Sequence, residues 1–178
     1  MRFNRFVILF LSVITLNNGK LLAQNDEFLG QVIASLKSHN FAILQAGILT
    51  TGITTTEAEA LVSIQTQPPR QMRIFATQSN MIYDIYQDFT FLVNEKKVNA
   101  IIVYPSHVSK DPSFIKKISM MSRQKKIPVI AMEDSWVNSD AMLVYTQSPE
   151  PTLHVNEKVR ALMKYPINDD KMFKVITE

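Results

Sequence analysis

The chain has 178 residues, 46% of them hydrophobic and 20% charged, and no cysteine. The lack of cysteine excludes disulfides, thiolate metal sites and lipidation of an N-terminal cysteine. The formal charge is +3, but three of the 19 basic residues, Arg2, Arg5 and Lys20, lie in a leader without acids, which leaves 16 basic against 16 acidic side chains. With a net charge of zero after the leader, no basic field remains to argue for nucleic acid.

Residues 1–24 read as an export signal. Arg2 and Arg5 form a positive start, and 6–16 is an apolar run too short to span a bilayer comfortably. Leu21-Leu22-Ala23-Gln24 is the expected cleavage neighbourhood, with retention as an uncleaved anchor as the alternative. The expected location is periplasmic or secreted, with no membrane span once the signal is removed. Roughly 155 residues remain, enough for one domain, 25–178, with a proper core.

Residues 26–38 predict an amphipathic helix, because Phe28, Leu29, Val32, Ile33 and Leu36 share a face. Residues 41–48 predict a strand, followed by Leu49-Thr50-Thr51-Gly52. The multiple glycines of a dinucleotide or P-loop fingerprint are missing there. Thr54 and Glu57 fit a capping box for a short helix over 54–64, and 65–70, with Pro68-Pro69, reads as a turn. A strand over 72–77 comes next. A helix over 80–97 then carries Met81, Ile82, Ile85, Phe89, Leu92 and Val93 on one face.

The segment 98–136 organises the chain. VNAIIVY and IPVIAM are short apolar runs of the kind buried on both faces of a parallel sheet. Between them Asp111 can cap a helix that has Pro112 at its first position. Its apolar face is Phe114, Ile115, Ile118 and Met121 or Ser122, and Lys116, Lys117, Arg123, Lys125 and Lys126 crowd the rest. Strand, helix and strand at this spacing form a βαβ unit. After it, 141–145 is apolar, 147–151 is turn-like and 152–155 alternates, which predicts a hairpin or an irregular return. Asn156 can cap a helix over 157–164 that Pro166 stops, and Asp169 or Asp170 starts a last short helix ending near Ile176. The fold class is therefore α/β, a three-layer sandwich around a mostly parallel sheet of about four to six strands.

The stretch IPVIAMEDSWVNSDAMLVY, with LHVNEKVRALMKYPIND, resembles the C-terminal part of ABC-type periplasmic substrate-binding proteins of the type I, tryptophan- or branched-amino-acid-like class. In that family an IPV strand precedes a ligand loop and a segment usually reading K-A-G-A-L, here Val137-Asn138-Ser139-Asp140-Ala141-Met142. An I-N pair, here Val155-Asn156, then precedes a helix and a tail with proline, here Pro166. VNAIIVYPS matches the family's preceding strand. Asp140 stands where glycine is usual, and the chain has room for one lobe where the family has two. The chain is also similar to YfiR-like periplasmic regulators of a membrane-bound diguanylate cyclase, through Met142-Leu143-Val144-Tyr145, a turn, and Leu153-His154-Val155-Asn156, but it lacks their W-P motif. The resemblance implies a single flavodoxin-like lobe. It implies an exported binding protein for a small polar ligand or an envelope protein partner, with a possible homodimer, or alternatively a regulatory adaptor.

Parallel βαβ units place functional loops at the carboxyl ends of strands. The candidate binding residues there are Ser106, His107, Asp134, Ser135 and Trp136, with Gln78 after the 72–77 strand; Ser79, Thr50 and Thr51 are further hydrogen-bonding candidates. Ser106, His107 and Asp134 include nucleophile, base and acid types, but a G-x-S-x-G elbow is missing, and the expectation is no enzyme. His107, Glu133 and Asp134 are of metal-ligating type, and solvated loop tips are the commoner use of such residues. No metal and no cofactor is expected. His39 and His154 read as structural or surface residues. Trp136 either stacks on a ligand or partner or covers the edge of the core.

Overall fold

The structure is a computed structural model, and it describes residues 24–39, 43, 45–50, 72–77, 79, 81–147, 149–167 and 170–178. Residues 1–23 of the expected leader, the expected helix over 54–64, the turn over 65–70, Thr51 and Gln78 lie outside the described residues, whereas Gln24 is described.

Helix α1 spans 24–38 and leads into β1 (Gln45–Leu49) and β2 (Arg73–Ala76). Helix α2 (Ile82–Asn94), β3 (Ala100–Val103), α3 (Pro112–Lys125) and β4 (Val129–Ala131) follow. A 3-10 turn, Asp134–Trp136, precedes β5 (Leu143–Thr146), β6 (Thr152–Val155), α4 (Glu157–Met163) and β7 (Lys174–Thr177). The sheet has 7 strands in the order β2-β1-β3-β4-β5-β6-β7. Strands β1 to β5 are mutually parallel, β6 returns antiparallel to β5, and β7 is parallel to β6.

Two apolar layers enclose the sheet, and the alternation along each central strand decides which layer a residue joins. Ala100, Ile102 and Tyr104 pack with Phe28, Leu29, Val32 and Leu36 of α1 and Val159 of α4. Ile101 and Val103 pack with Phe89 and Leu92 of α2 and Phe114 and Ile118 of α3. This is the expected three-layer α/β sandwich. Every residue of β3, β4 and β5 is buried, as apolar runs without polar alternation require.

The local signals behave as their chemistry dictates. The Asp111 carboxylate accepts from the backbone N–H of Ser113 at 2.7 Å and of Phe114 at 3.3 Å, and so caps α3 with proline in its first turn. Asn156 caps α4 by accepting from Val159 N–H at 3.1 Å. A Cβ on Gly47 would come within 2.8 Å of Leu92 Cδ1 and 3.2 Å of Leu92 Cβ, so glycine stands in β1 where α2 approaches most closely.

The last element differs from expectation. Residues 174–177 form strand β7 where a helix is predicted, which takes the sheet to 7 strands. Asp170 does hold the backbone N–H groups of Met172 at 2.7 Å and Phe173 at 3.2 Å. That cap closes a turn rather than opening a helix, and β7 then adds alongside β6.

Candidate functional site

The carboxyl ends of β3, β4 and β5 and the start of α1 enclose a crevice of about 570 Å³. Phe28, Pro105 and Met132 supply apolar walls, and Ser106, His107, Lys110, Glu133, Asp134 and Ser135 supply polar ones. Phe28 and Met132 are otherwise packed into the core, so the apolar part of the crevice is the edge of the α1 layer, nearly all of it buried.

The loop after β3 is held by its own serines. Ser106 N–H donates to Ser109 Oγ at 2.8 Å, and Ser109 N–H donates to Ser106 Oγ at 3.1 Å. Ser109 Oγ is also hydrogen-bonded to Glu133 Oε2, which couples the β3 loop to the end of β4. Trp136 Nε1–H donates to Ser109 carbonyl oxygen at 3.0 Å. Its ring is fully buried and meets Phe114 edge-on, with centroids 6.0 Å apart.

The 3-10 turn thus sends its residues in opposite directions. Asp134 and Ser135 are exposed beside the crevice, and Trp136 fills the layer beneath. Of the sequence candidates, Ser106, His107, Asp134 and Ser135 line one crevice. Trp136 does not line it and covers the core instead. Thr50 is buried, and its hydroxyl donates to Thr77 carbonyl oxygen, tying the ends of β1 and β2 together. Ser79 donates to Asp88.

Glu133 is the charged residue that binding arguments from sequence pass over in favour of Asp134. Only 11% of its side chain is exposed, and its Oε1 lies 3.6 Å from the Nζ of Lys110, which is 68% exposed. Burial pushes the Glu133 carboxyl above its ordinary range, against the downward pull of the Ser109 hydrogen bond and the Lys110 charge. Its position after the apolar IPVIAM run was the available signal, because a carboxyl following a buried strand is held at the wall rather than at a loop tip. Lys110, Asn25 and Phe28 also line the crevice; the two α1 residues come from a helix that sequence spacing cannot place there. Among the described residues no group of three His, Asp or Glu is arranged to hold a metal ion.

A second polar cluster lies against the α1 layer. The Asp170 side chain is 1% exposed and takes His39 Nε2 at 2.8 Å together with the Ser35 hydroxyl. Ser35 Oγ also meets Tyr145 Oη at 2.9 Å, and burial pushes the Tyr145 hydroxyl well above its ordinary pKa. Hydroxyl and imidazole share one carboxylate oxygen here.

No protein-family model matches the sequence, and comparison with curated proteins finds no match. Solved structures share the fold at low identity. An ABC domain in complex with L-Trp from Streptococcus pneumonia has a TM-score of 0.61 at 13% identity, over 83% of this chain and 60% of that one. The ligand-free, open structure of CD0873, a substrate binding protein with adhesive properties from Clostridium difficile, has a TM-score of 0.58 at 13% identity, over 82% and 58%. A conserved domain protein from Vibrio cholerae O1 biovar El Tor has a TM-score of 0.62 at 11% identity, over 86% and 60%. The chain spans less than two thirds of the length of each of these proteins. The class of fold is thereby defined as an α/β lobe of the kind found in substrate-binding proteins.

Proposed function

We propose that the chain is an exported, non-catalytic binding protein that takes a small polar ligand at the carboxyl ends of β3, β4 and β5. The observation that carries this reading is the crevice, which sets the apolar corner of Phe28 and Met132 against a rim of serines and carboxylates. The apolar part of a ligand would lie on that corner, and a cationic group would meet Glu133 and Asp134. The fold likeness to substrate-binding proteins supports the same direction. Among the described residues no helix is long and apolar enough to cross a membrane, and the leader favours a periplasmic or secreted location.

A thermal-shift panel of amines, amino acids and short peptides tests the reading. At least one compound should raise the melting temperature, and Asp134→Ala should weaken its binding by about 1.5–3 kcal/mol if that carboxylate touches it. Full affinity in a Glu133→Gln, Asp134→Ala double variant would move the site elsewhere. The crevice is open on its outer side, so a second copy of the chain or an envelope protein would complete it. That openness favours a second reading, a regulatory adaptor acting through protein contact. A panel without a single shift, together with partner-dependent protection of Ser106 and Asp134 from hydrogen exchange, would put the adaptor first.

A further inference from the structure

The charges that cancel in sum are unevenly placed, with lysines that form no salt bridge among the described residues gathered under β3 and β4. Because β1 to β5 are parallel, helices α1, α2 and α3 all end at the pole where those strands begin. Exposed Lys96 and Lys97 precede β3, exposed Arg123, Lys125 and Lys126 precede β4, and exposed Arg73 opens β2. The acids at this pole are Glu95 and Asp140, which pairs with Arg123 at 3.2 Å, and, at the far side under β6 and β7, Glu157 and Glu178. The opposite pole holds the crevice, with Asp111, Glu133, Asp134 and Glu150, and its cations Lys110 and Lys174 are paired with Glu133 at 3.6 Å and Glu150 at 2.6 Å.

Two of these lysines stand in left-handed backbone, Lys97 at φ 55 and Lys126 at φ 54. Glycine takes such positions freely, and a lysine there works against its backbone preference. The helix dipole favours Arg123 and Lys125 in the last turn of α3. It does not account for Lys97, which lies beyond the end of α2 at Asn94.

We propose that this basic pole docks on an anionic phospholipid surface and holds the crevice facing away from the bilayer. Charge complementarity identifies the surface, and the kind of cation narrows it. Protein interfaces favour arginine and aromatic residues and are depleted in lysine. Four of the six cations here are lysines, hydrated point charges without a fixed fork. A fluid headgroup layer asks for charge density rather than for stereochemistry. The expected leader also brings the chain to a membrane.

The test sediments the purified protein with vesicles of phosphatidylglycerol mixed with phosphatidylcholine, and with phosphatidylcholine alone. Binding should appear only on the mixed vesicles and weaken as salt rises. Lys125→Glu with Lys126→Glu should weaken it by at least about 25-fold, at roughly fivefold for each lysine lost before the added repulsion is counted, and Lys96→Glu with Lys97→Glu should do the same. Lys171→Glu with Lys174→Glu changes the net charge equally at the crevice pole and should leave affinity within about twofold of the parent. Melting curves confirm that each variant is folded. Equal losses from all three pairs would overturn the proposal, as would equal binding to neutral vesicles or binding to none. Retention on a nucleic acid or an acidic protein without vesicle binding would also overturn it.

Discussion

Glu133 and Asp170 are both carboxylates hydrogen-bonded to a serine hydroxyl, and the fold uses them in opposite ways. Burial pushes Asp170 up, but the Ser35 hydroxyl, the Met172 N–H and His39 together outweigh it, and the group ends below its ordinary pKa. Burial pushes Glu133 up as well, and there the Ser109 hydroxyl and a lysine 3.6 Å away do not outweigh it. The difference lies in the supply of donors rather than in depth alone. Asp170 is saturated from within and pins α1 to the turn before β7. Glu133 keeps capacity for a donor from outside, in a crevice open to solvent. A structural carboxylate and a candidate binding carboxylate can thus be told apart by counting donors.

The largest expected effect tests the support beneath Glu133. Trp136→Ala removes a fully buried ring and the Nε1–H that holds the Ser109 carbonyl. It should cost about 4 kcal/mol, the usual range for large aromatic residues in a core, measured by chemical denaturation. A loss below about 1 kcal/mol would show that the ring does not anchor the crevice wall. Asp170→Ala comes next, at about 3 kcal/mol, because two side-chain donors and two backbone N–H groups lose a buried acceptor. Hydrogen exchange should then rise first at residues 170–178. A variant in which β7 stays protected would contradict the pin.

Much of the architecture was legible in advance because it rests on local chemistry. The β-branched runs at 100–103 and 129–131, the Asp111-Pro112 start of α3 and the Asn156 cap each carry their own signal. The tail was not legible, since four residues with mixed exposure satisfy a helical and an extended pattern alike, and pairing with β6 decides between them. The crevice was half legible. Topology brings Ser106, His107, Asp134 and Ser135 together, as parallel strand ends must. The inward turn of Trp136 depends on a 3-10 turn whose direction is set by Phe114 and the Ser109 carbonyl, long-range contacts within the layer that α2 and α3 form on one face of the sheet. The Ser35–Asp170–His39 cluster joins residues more than 130 positions apart, a juxtaposition for which the sequence offers no local mark.

The smallest effect separates the two carboxylates most cleanly, because their pH dependences have opposite sign. Asp170 has its folded pKa below the ordinary 3.8. Its contribution to stability is therefore complete above that value and is lost as pH falls through the lower folded pKa. Glu133 has its folded pKa above the ordinary 4.5. Below 4.5 it is protonated in both states and costs nothing. As pH rises through 4.5 and the higher folded pKa, the unfolded chain gives up its proton first, and stability falls. Glu133→Gln keeps an acceptor for Ser109 and removes that loss. It should melt slightly above the parent at pH 7, by less than about 1 kcal/mol, and match it near pH 4. Asp170→Asn should show the reverse, a deficit at pH 7 that narrows in acid. Parallel pH profiles for the two variants would erase the distinction between the saturated carboxylate and the open one.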